Sequence, residues 1–291
     1  MKHSVRTTLA AALAVGALLL ALPAASAAGD PVTYVAMGDS FASAPLVTPV
    51  DPGNPACLRS LVDYPHVTAE ALGARLTDVS CSGATVEDFA SPQTIGTPAQ
   101  YSALKPDTDI VSLTIGGNDT GLVAVALGCT NVLPEPLGTS CAEKNTLGGT
   151  DAVAARIDAW APKFAAALDE IHRRASQAKV FVVAGGSYIR PGGCFPTQPV
   201  WGRDATYLQG EIDHLAATIR QTAQSHGDTF VSATPPTAGH DSCAAPADRY
   251  IEGFVPTSPA APLHPNAKGS AAVGAALTAA VRQAQGLSHA A

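Results

Sequence analysis

The sequence predicts an α/β fold, a three-layer α/β/α sandwich built on a central parallel sheet. Three observations carry this. Short, continuously apolar runs rich in β-branched residues recur along the chain, Ala-rich amphipathic stretches of helical period separate them, and no internal repeat or long linker breaks the alternation. A strand apolar on both sides must be covered on both, which points to a parallel sheet between two helical layers.

The elements follow in order. PVTYVAM (31–37) reads as the first strand, stopped by Gly38, and SLVDYPHVTAEALG (60–73) as a helix closed by Gly73. RLTDVS (75–80) and DIVSLTIG (109–116) are the next strands, and a long amphipathic helix spans 151–177. KVFVVAG (179–185) is a buried strand, followed by a helix over 204–226, a strand over 229–233 and a final Ala-rich helix over 265–285. The tail GLSHAA is expected to fray. Ahead of all this, Lys2 and Arg6 precede an apolar run from Leu9 to Leu22, then Pro23 and an Ala25-Ser26-Ala27 motif. That is the pattern of a signal peptide over residues 1–27, too short for a membrane span. The expectation is therefore an extracellular protein, released by cleavage near Ala27, with one domain over 28–291.

Charge limits the partners. The chain has 17 basic and 24 acidic residues, net −7, and Lys2 and Arg6 leave with the leader. An acidic chain of this kind disfavours nucleic acid and electrostatic docking to anionic lipid. Cys57, Cys81, Cys129, Cys141, Cys194 and Cys243 are even in number and destined for an oxidising compartment, so disulfides are expected. Fifteen pairings are possible, and the sequential one is preferred. No CxxC or CxxH spacing suggests zinc, and neither a metal nor a cofactor is expected.

In a parallel sheet, ligands sit beyond the carboxyl ends of the strands. Gly38-Asp39-Ser40-Phe41 follows the first strand, Cys81-Ser82-Gly83-Ala84-Thr85 the second, and Gly116-Gly117-Asn118-Asp119 the third; Leu263-His264-Pro265-Asn266 precedes the last helix. Acyl transfer needs a hydroxyl nucleophile, a base for its proton and donors aimed at the developing oxyanion. Ser40 suits the first role and His264 the second. The N–H groups of Ser40 and Gly83 and the Asn118 amide suit the third. Each block alone has a plainer reading: Gly-Asp and Gly-Gly-Asn-Asp are good turn sequences, and Pro265 after His264 could open a helix.

Taken together, the blocks resemble the SGNH (GDSL-type) hydrolase superfamily, and specifically its secreted actinobacterial lipases and esterases. Arg59-Ser60, Tyr64-Pro65 and the stretch Asp78 to Thr85 extend the likeness, which covers about residues 31–285. The resemblance implies the flavodoxin-like three-layer fold and ester hydrolysis through an acyl-enzyme, with Ser40 as nucleophile, His264 as base and Ser40, Gly83 and Asn118 as the oxyanion hole. It also implies three sequential bridges, Cys57–Cys81, Cys129–Cys141 and Cys194–Cys243. No G-x-S-x-G elbow surrounds Ser40, against an α/β-hydrolase.

One departure stands out. Many members carry an acid three residues before the histidine, and here that position is Ala261. Some relatives orient the histidine with a backbone carbonyl instead, so the expectation is a Ser40–His264 pair with the Ala261 carbonyl accepting from the ring; Asp241 or Asp248 is the alternative. Among the other histidines, His66, His172, His214 and His226 fall in helical patterns, and His240, beside Asp241, is the rival base. Asp39 is expected to hold the turn. The loop from Pro191 to Trp201 is either a pocket wall or a loop packed by its disulfide.

The leading reading is a secreted carboxylic ester hydrolase, a lipase or esterase on lipid or short-to-medium acyl esters, acting as a monomer. A phospholipase or a carbohydrate acetyl esterase would use the same core. A catalytically silent binding module and a metal-dependent hydrolase are alternatives of other kinds.

Overall fold

The computed structural model describes residues 31–286, together with residues 1 and 3. The chain divides into two units, Met1–Asp30 and Pro31–Ala291, and the architecture below belongs to the second. The apolar run of the expected signal peptide, its cleavage motif and most of the C-terminal tail lie outside the described residues.

The order of elements is β1 (Thr33–Gly38), α1 (Ser40–Ser43), α2 (Tyr64–Leu72), β2 (Arg75–Asp78), α3 (Glu87–Ala90), β3 (Ile110–Thr114), α4 (Leu122–Gly128), α5 (Cys141–Asn145), α6 (Ala152–Arg174), β4 (Lys179–Ala184), α7 (Gly202–Ser225), β5 (Thr229–Ser232), α8 (Thr234–Thr237) and α9 (Ala267–Ala284), with short 3₁₀ turns between. The strands form one parallel sheet in the order β2-β1-β3-β4-β5. Successive side chains of a strand point to opposite faces, so both layers can be read from β1 and β4. Val35, Met37, Val180 and Val182 pack under α6 and α7, with Ile157, Phe164 and Ile219. Tyr34, Ala36, Phe181 and Val183 face α2 and α9, with Tyr64, Val273 and Leu277. The predicted sandwich is the observed one.

Boundaries moved where local caps compete with apolar pattern. The helix expected over 60–73 starts at Tyr64, because the Asp63 carboxylate accepts from the His66 N–H and caps it. Ser60, expected inside that helix, is instead bridged to Val50 and donates its N–H to Ser43. The strand expected over 75–80 ends at Asp78, whose carboxylate takes both the N–H and the hydroxyl of Ser80 and turns the chain away. The last helix begins two residues later than expected. Its cap is Asn266, which accepts from the N–H groups of Lys268 and Gly269, and Pro265 lies outside it.

The cysteines pair as Cys57–Cys81, Cys129–Cys141 and Cys194–Cys243. The first bridge is part of a wider clamp. Arg59 donates to the Ser80 carbonyl at 2.8 Å and to Asp51 at 2.6 Å, which holds the Asp51 carboxyl below its usual range. The Arg-Ser and Asp-Val-Ser-Cys-Ser-Gly segments are therefore held together just beyond the end of β2. Among the described residues, no helix is long and apolar enough to cross a membrane.

Candidate active site

Ser40 is set by the way β1 stops. Gly38 has φ +123°, and a Cβ there would stand 2.1 Å from the Thr114 carbonyl oxygen, so this position accepts only glycine. The Asp39 N–H then donates to that carbonyl at 2.9 Å, carrying the β1–β3 ladder one residue past the strand. The Asp39 carboxylate accepts from the Phe41 N–H at 3.0 Å and caps α1, which Ser40 opens. A residue the sequence reading missed completes the support. Gln100 is buried, and its side chain accepts from the Gly38 N–H at 2.7 Å and donates to the Gly38 carbonyl at 2.9 Å. No spacing or pattern marked it, since it lies in a turn 62 residues away.

His264 reaches Ser40 from the segment before α9. Its Nε2 lies 2.6 Å from Ser40 Oγ, and its Nδ1 lies 2.7 Å from a backbone carbonyl. That carbonyl belongs to Pro262, which corrects the expected Ala261. The cause is Leu263, whose φ of +63° folds the chain so that the carbonyl one residue before it turns back onto the ring. The Ala261 N–H is engaged elsewhere, donating to Pro45. A carbonyl only accepts, so Nδ1 carries the proton and the Nε2 lone pair faces the serine. Neither alternative acid meets the ring. Asp241 pairs with Arg190 and accepts from the Cys243 N–H, while the Asp248 carbonyl accepts from His240. His240 is stacked on Tyr250 at 3.8 Å. His66, His172 and His214 each pair with an aspartate.

Glu252, fully buried, organises the His264 segment and also went unread in the sequence. Its N–H donates to the His264 carbonyl, and its carboxylate accepts from Thr257, Ser258 and Asn266. Burial works against its charge, but those donors outweigh it and keep Glu252 below the usual carboxylate range.

Gly83 and Asn118 are joined to one another and to the serine turn. The Cys81 N–H donates to the Gly38 carbonyl at 3.0 Å, and the Ser43 and Ser82 hydroxyls stand 3.2 Å apart. Gly83 is exposed, at φ +81°. The Asn118 amide donates to the Ala84 carbonyl at 2.9 Å, which leaves its second N–H unused. Among the described residues, the N–H groups of Ser40 and Gly83 have no backbone acceptor.

A cavity of about 120 Å³ opens at Ser40 and His264. Leu122, Val123 and Ala126 of α4, Leu208, Ile212 and Leu215 of α7, and Phe254 give it a mostly apolar surface. The Pro191–Trp201 loop is not among its walls; Val200 packs against the Cys129–Cys141 bridge instead. This apolar setting shifts the acids and bases around it. Burial pushes the His264 imidazole below its ordinary value, against the opposing effect of the Pro262 bond. Burial also drives Asp39 up to about 7, with the Phe41 N–H opposing and Asp119 adding to the rise. Elsewhere the fold brings ligand atoms of Asp63, His66 and Asp78 within 4.8 Å of one another, a group with no spacing signal; Arg59, 3.9 Å from Asp78, supplies the local positive charge.

The GDSL-like lipase/acylhydrolase family profile matches residues 36–272. The chain belongs to that family. This hydrolase is 38% identical over 277 residues to Lipase 2 of Streptomyces coelicolor, spanning 91% of this chain and 92% of that protein. It is 29% identical over 250 residues to a lipase of Streptomyces rimosus, spanning 84% and 87% of the two chains. Among solved structures it is similar to phospholipase A1 from Streptomyces albidoflavus NA297, with TM-score 0.71, 25% identity and coverage of 86% of this chain and 99% of that one. An extracellular lipase from Streptomyces rimosus superposes with TM-score 0.66 at the same identity and coverage. The protein is thus an ester hydrolase of the lipase/esterase kind.

Proposed function

We propose that this enzyme hydrolyses carboxylic esters through an acyl-enzyme on Ser40, with His264 as the base. One observation carries the reading: His264 Nε2 stands 2.6 Å from Ser40 Oγ while the other ring nitrogen donates a hydrogen bond to the Pro262 carbonyl. The bond from Nδ1–H favours the tautomer in which Nε2 is free to take the serine proton as Oγ attacks the ester carbonyl. The resulting imidazolium returns that proton to the leaving alcohol. Water then repeats the sequence and releases the acid. A neutral carbonyl steadies the imidazolium less than a carboxylate does, but it holds the ring in the same orientation.

The N–H groups of Ser40 and Gly83 and the free N–H of Asn118 receive the oxyanion. The Cys57–Cys81 bridge, two residues before Gly83, steadies that loop. The apolar cavity suits the acyl chain, so lipid and medium-chain esters are favoured over the acetyl groups of a carbohydrate. The similarity to a phospholipase A1 supports phospholipid as a second substrate class. The leader pattern, with the extracellular lipase among the similar structures, supports secretion.

A panel of p-nitrophenyl esters of increasing chain length, plus a phospholipid, tests this on wild type, Ser40→Ala, His264→Ala and His240→Ala. Turnover should collapse in the first two variants and persist in the third. Full activity in His264→Ala would sink the assignment.

A further inference from the structure

We infer that the apolar segment running outward from the cavity mouth, Val123 through Leu137 with Val255, is a docking face for the surface of a neutral or zwitterionic lipid aggregate. The inference rests on the ester-hydrolase reading and adds the physical state of the substrate. It begins at α4. Val123 lines the cavity and is itself exposed. Leu127 lies one turn on, on the same face, and is 55% exposed. The chain then enters a loop whose Val132, Leu133 and Leu137 are 80%, 52% and 64% exposed. Phe254 also lines the cavity, and Val255, next to it in sequence, is exposed.

These side chains are held outward by their own backbone. The Cys129–Cys141 bridge closes the loop. Inside it, Asn131 accepts from the Thr139 N–H at 3.2 Å and donates to the Thr139 carbonyl at 3.0 Å. The Asn131 N–H donates to the Pro199 carbonyl at 2.7 Å, and the Trp201 indole to the Leu133 carbonyl at 2.8 Å. With the polar backbone anchored inward, the apolar side chains cannot fold under. Apolar groups clustered in this way mark an interaction surface.

Charge identifies the occupant. Between Gly121 and Cys141 the only charged residue is Glu135, and Arg203 pairs with it. Among the described residues, that segment carries no free cation to draw anionic headgroups, and the whole chain is acidic. A face without net charge, touching the mouth of a cavity walled by aliphatic side chains, fits a neutral or zwitterionic lipid surface. An acyl chain leaving the aggregate would then enter the cavity without crossing open water.

The test uses the full mature chain carrying Ser40→Ala, so that binding is read without hydrolysis. It is sedimented with phosphatidylcholine vesicles, with and without the added pair Leu133→Asp and Leu137→Asp. The pair should lower vesicle partitioning roughly tenfold or more, and raising salt to about 0.5 M should leave binding unchanged. In the wild-type background the same pair should leave hydrolysis of soluble p-nitrophenyl acetate within about twofold and reduce hydrolysis of emulsified triacylglycerol by roughly tenfold. A thermal melt confirms folding, and Leu137→Ser serves as a milder variant with a smaller loss in the same direction. Equal partitioning with and without the pair would overturn the inference. So would binding confined to anionic vesicles and lost in salt, or a dimer in solution that the pair dissociates. Residual turnover of the soluble ester in Ser40→Ala would count against the Ser40 reading alone.

Discussion

Replacing Gln100 with Met is the sharpest test of how the serine turn is held. Gln100 is 1% exposed and spends both ends of its amide on Gly38, accepting at 2.7 Å and donating at 2.9 Å. Met keeps much of the length and volume and removes both bonds. The two losses are not equal. The Gly38 carbonyl retains the Cys81 N–H as a donor, so losing the Gln100 amide costs it only about 1 kcal/mol. Among the described residues the Gly38 N–H has no second acceptor, and leaving it buried and unpaired costs about 1–3 kcal/mol. The expected destabilisation is therefore about 2–4 kcal/mol, within the total of roughly 5–15 kcal/mol that a domain has. The variant should fold, with a lower urea midpoint and an unchanged slope. Gly38 is two residues from Ser40, so kcat/KM on a soluble ester should also fall by roughly tenfold or more, because small misplacements of a reacting group are expensive. A stability change below about 0.5 kcal/mol with full activity would refute the idea that Gln100 supports the turn.

Three further outcomes follow from the same geometry. Asn118→Ala should lower kcat on p-nitrophenyl esters by about 10²–10³ with little change in melting temperature, as expected for one oxyanion donor; unchanged kcat would remove Asn118 from that role. Burial holds the His264 value below the ordinary histidine range, and the base must be neutral, so the acid limb of kcat/KM should lie below pH 6.5; a midpoint above 7 would contradict this. Asp39 has its folded value raised to about 7, so the folded state binds that proton more tightly than the unfolded chain. The stability it contributes is present in full below about pH 4 and is lost as pH rises through about 7. Asp39→Asn, whose side-chain oxygen still caps Phe41, should flatten that part of the unfolding profile, and an unaltered profile would show that other groups set it.

Much of this protein was legible in one dimension. Strand and helix order, the parallel sheet and the belonging of Gly38-Asp39-Ser40 to the sequence family all follow from local pattern, because burying an apolar strand on both faces dictates the layers around it. The strand-end blocks could be read because a parallel sheet puts its ligand sites in one known place. Tertiary structure alone decided the rest. Pro262 rather than Ala261 meets His264, since the direction of a carbonyl depends on the backbone angle at Leu263 and not on which residue is present. Gln100 and Glu252 left no trace in pattern, because each supports its target across a gap that only folding closes. The cavity walls came from α4 and α7 instead of the Pro191–Trp201 loop for the same reason: apolar residues spread along the sequence acquire a shared function only when packing sets them around one space.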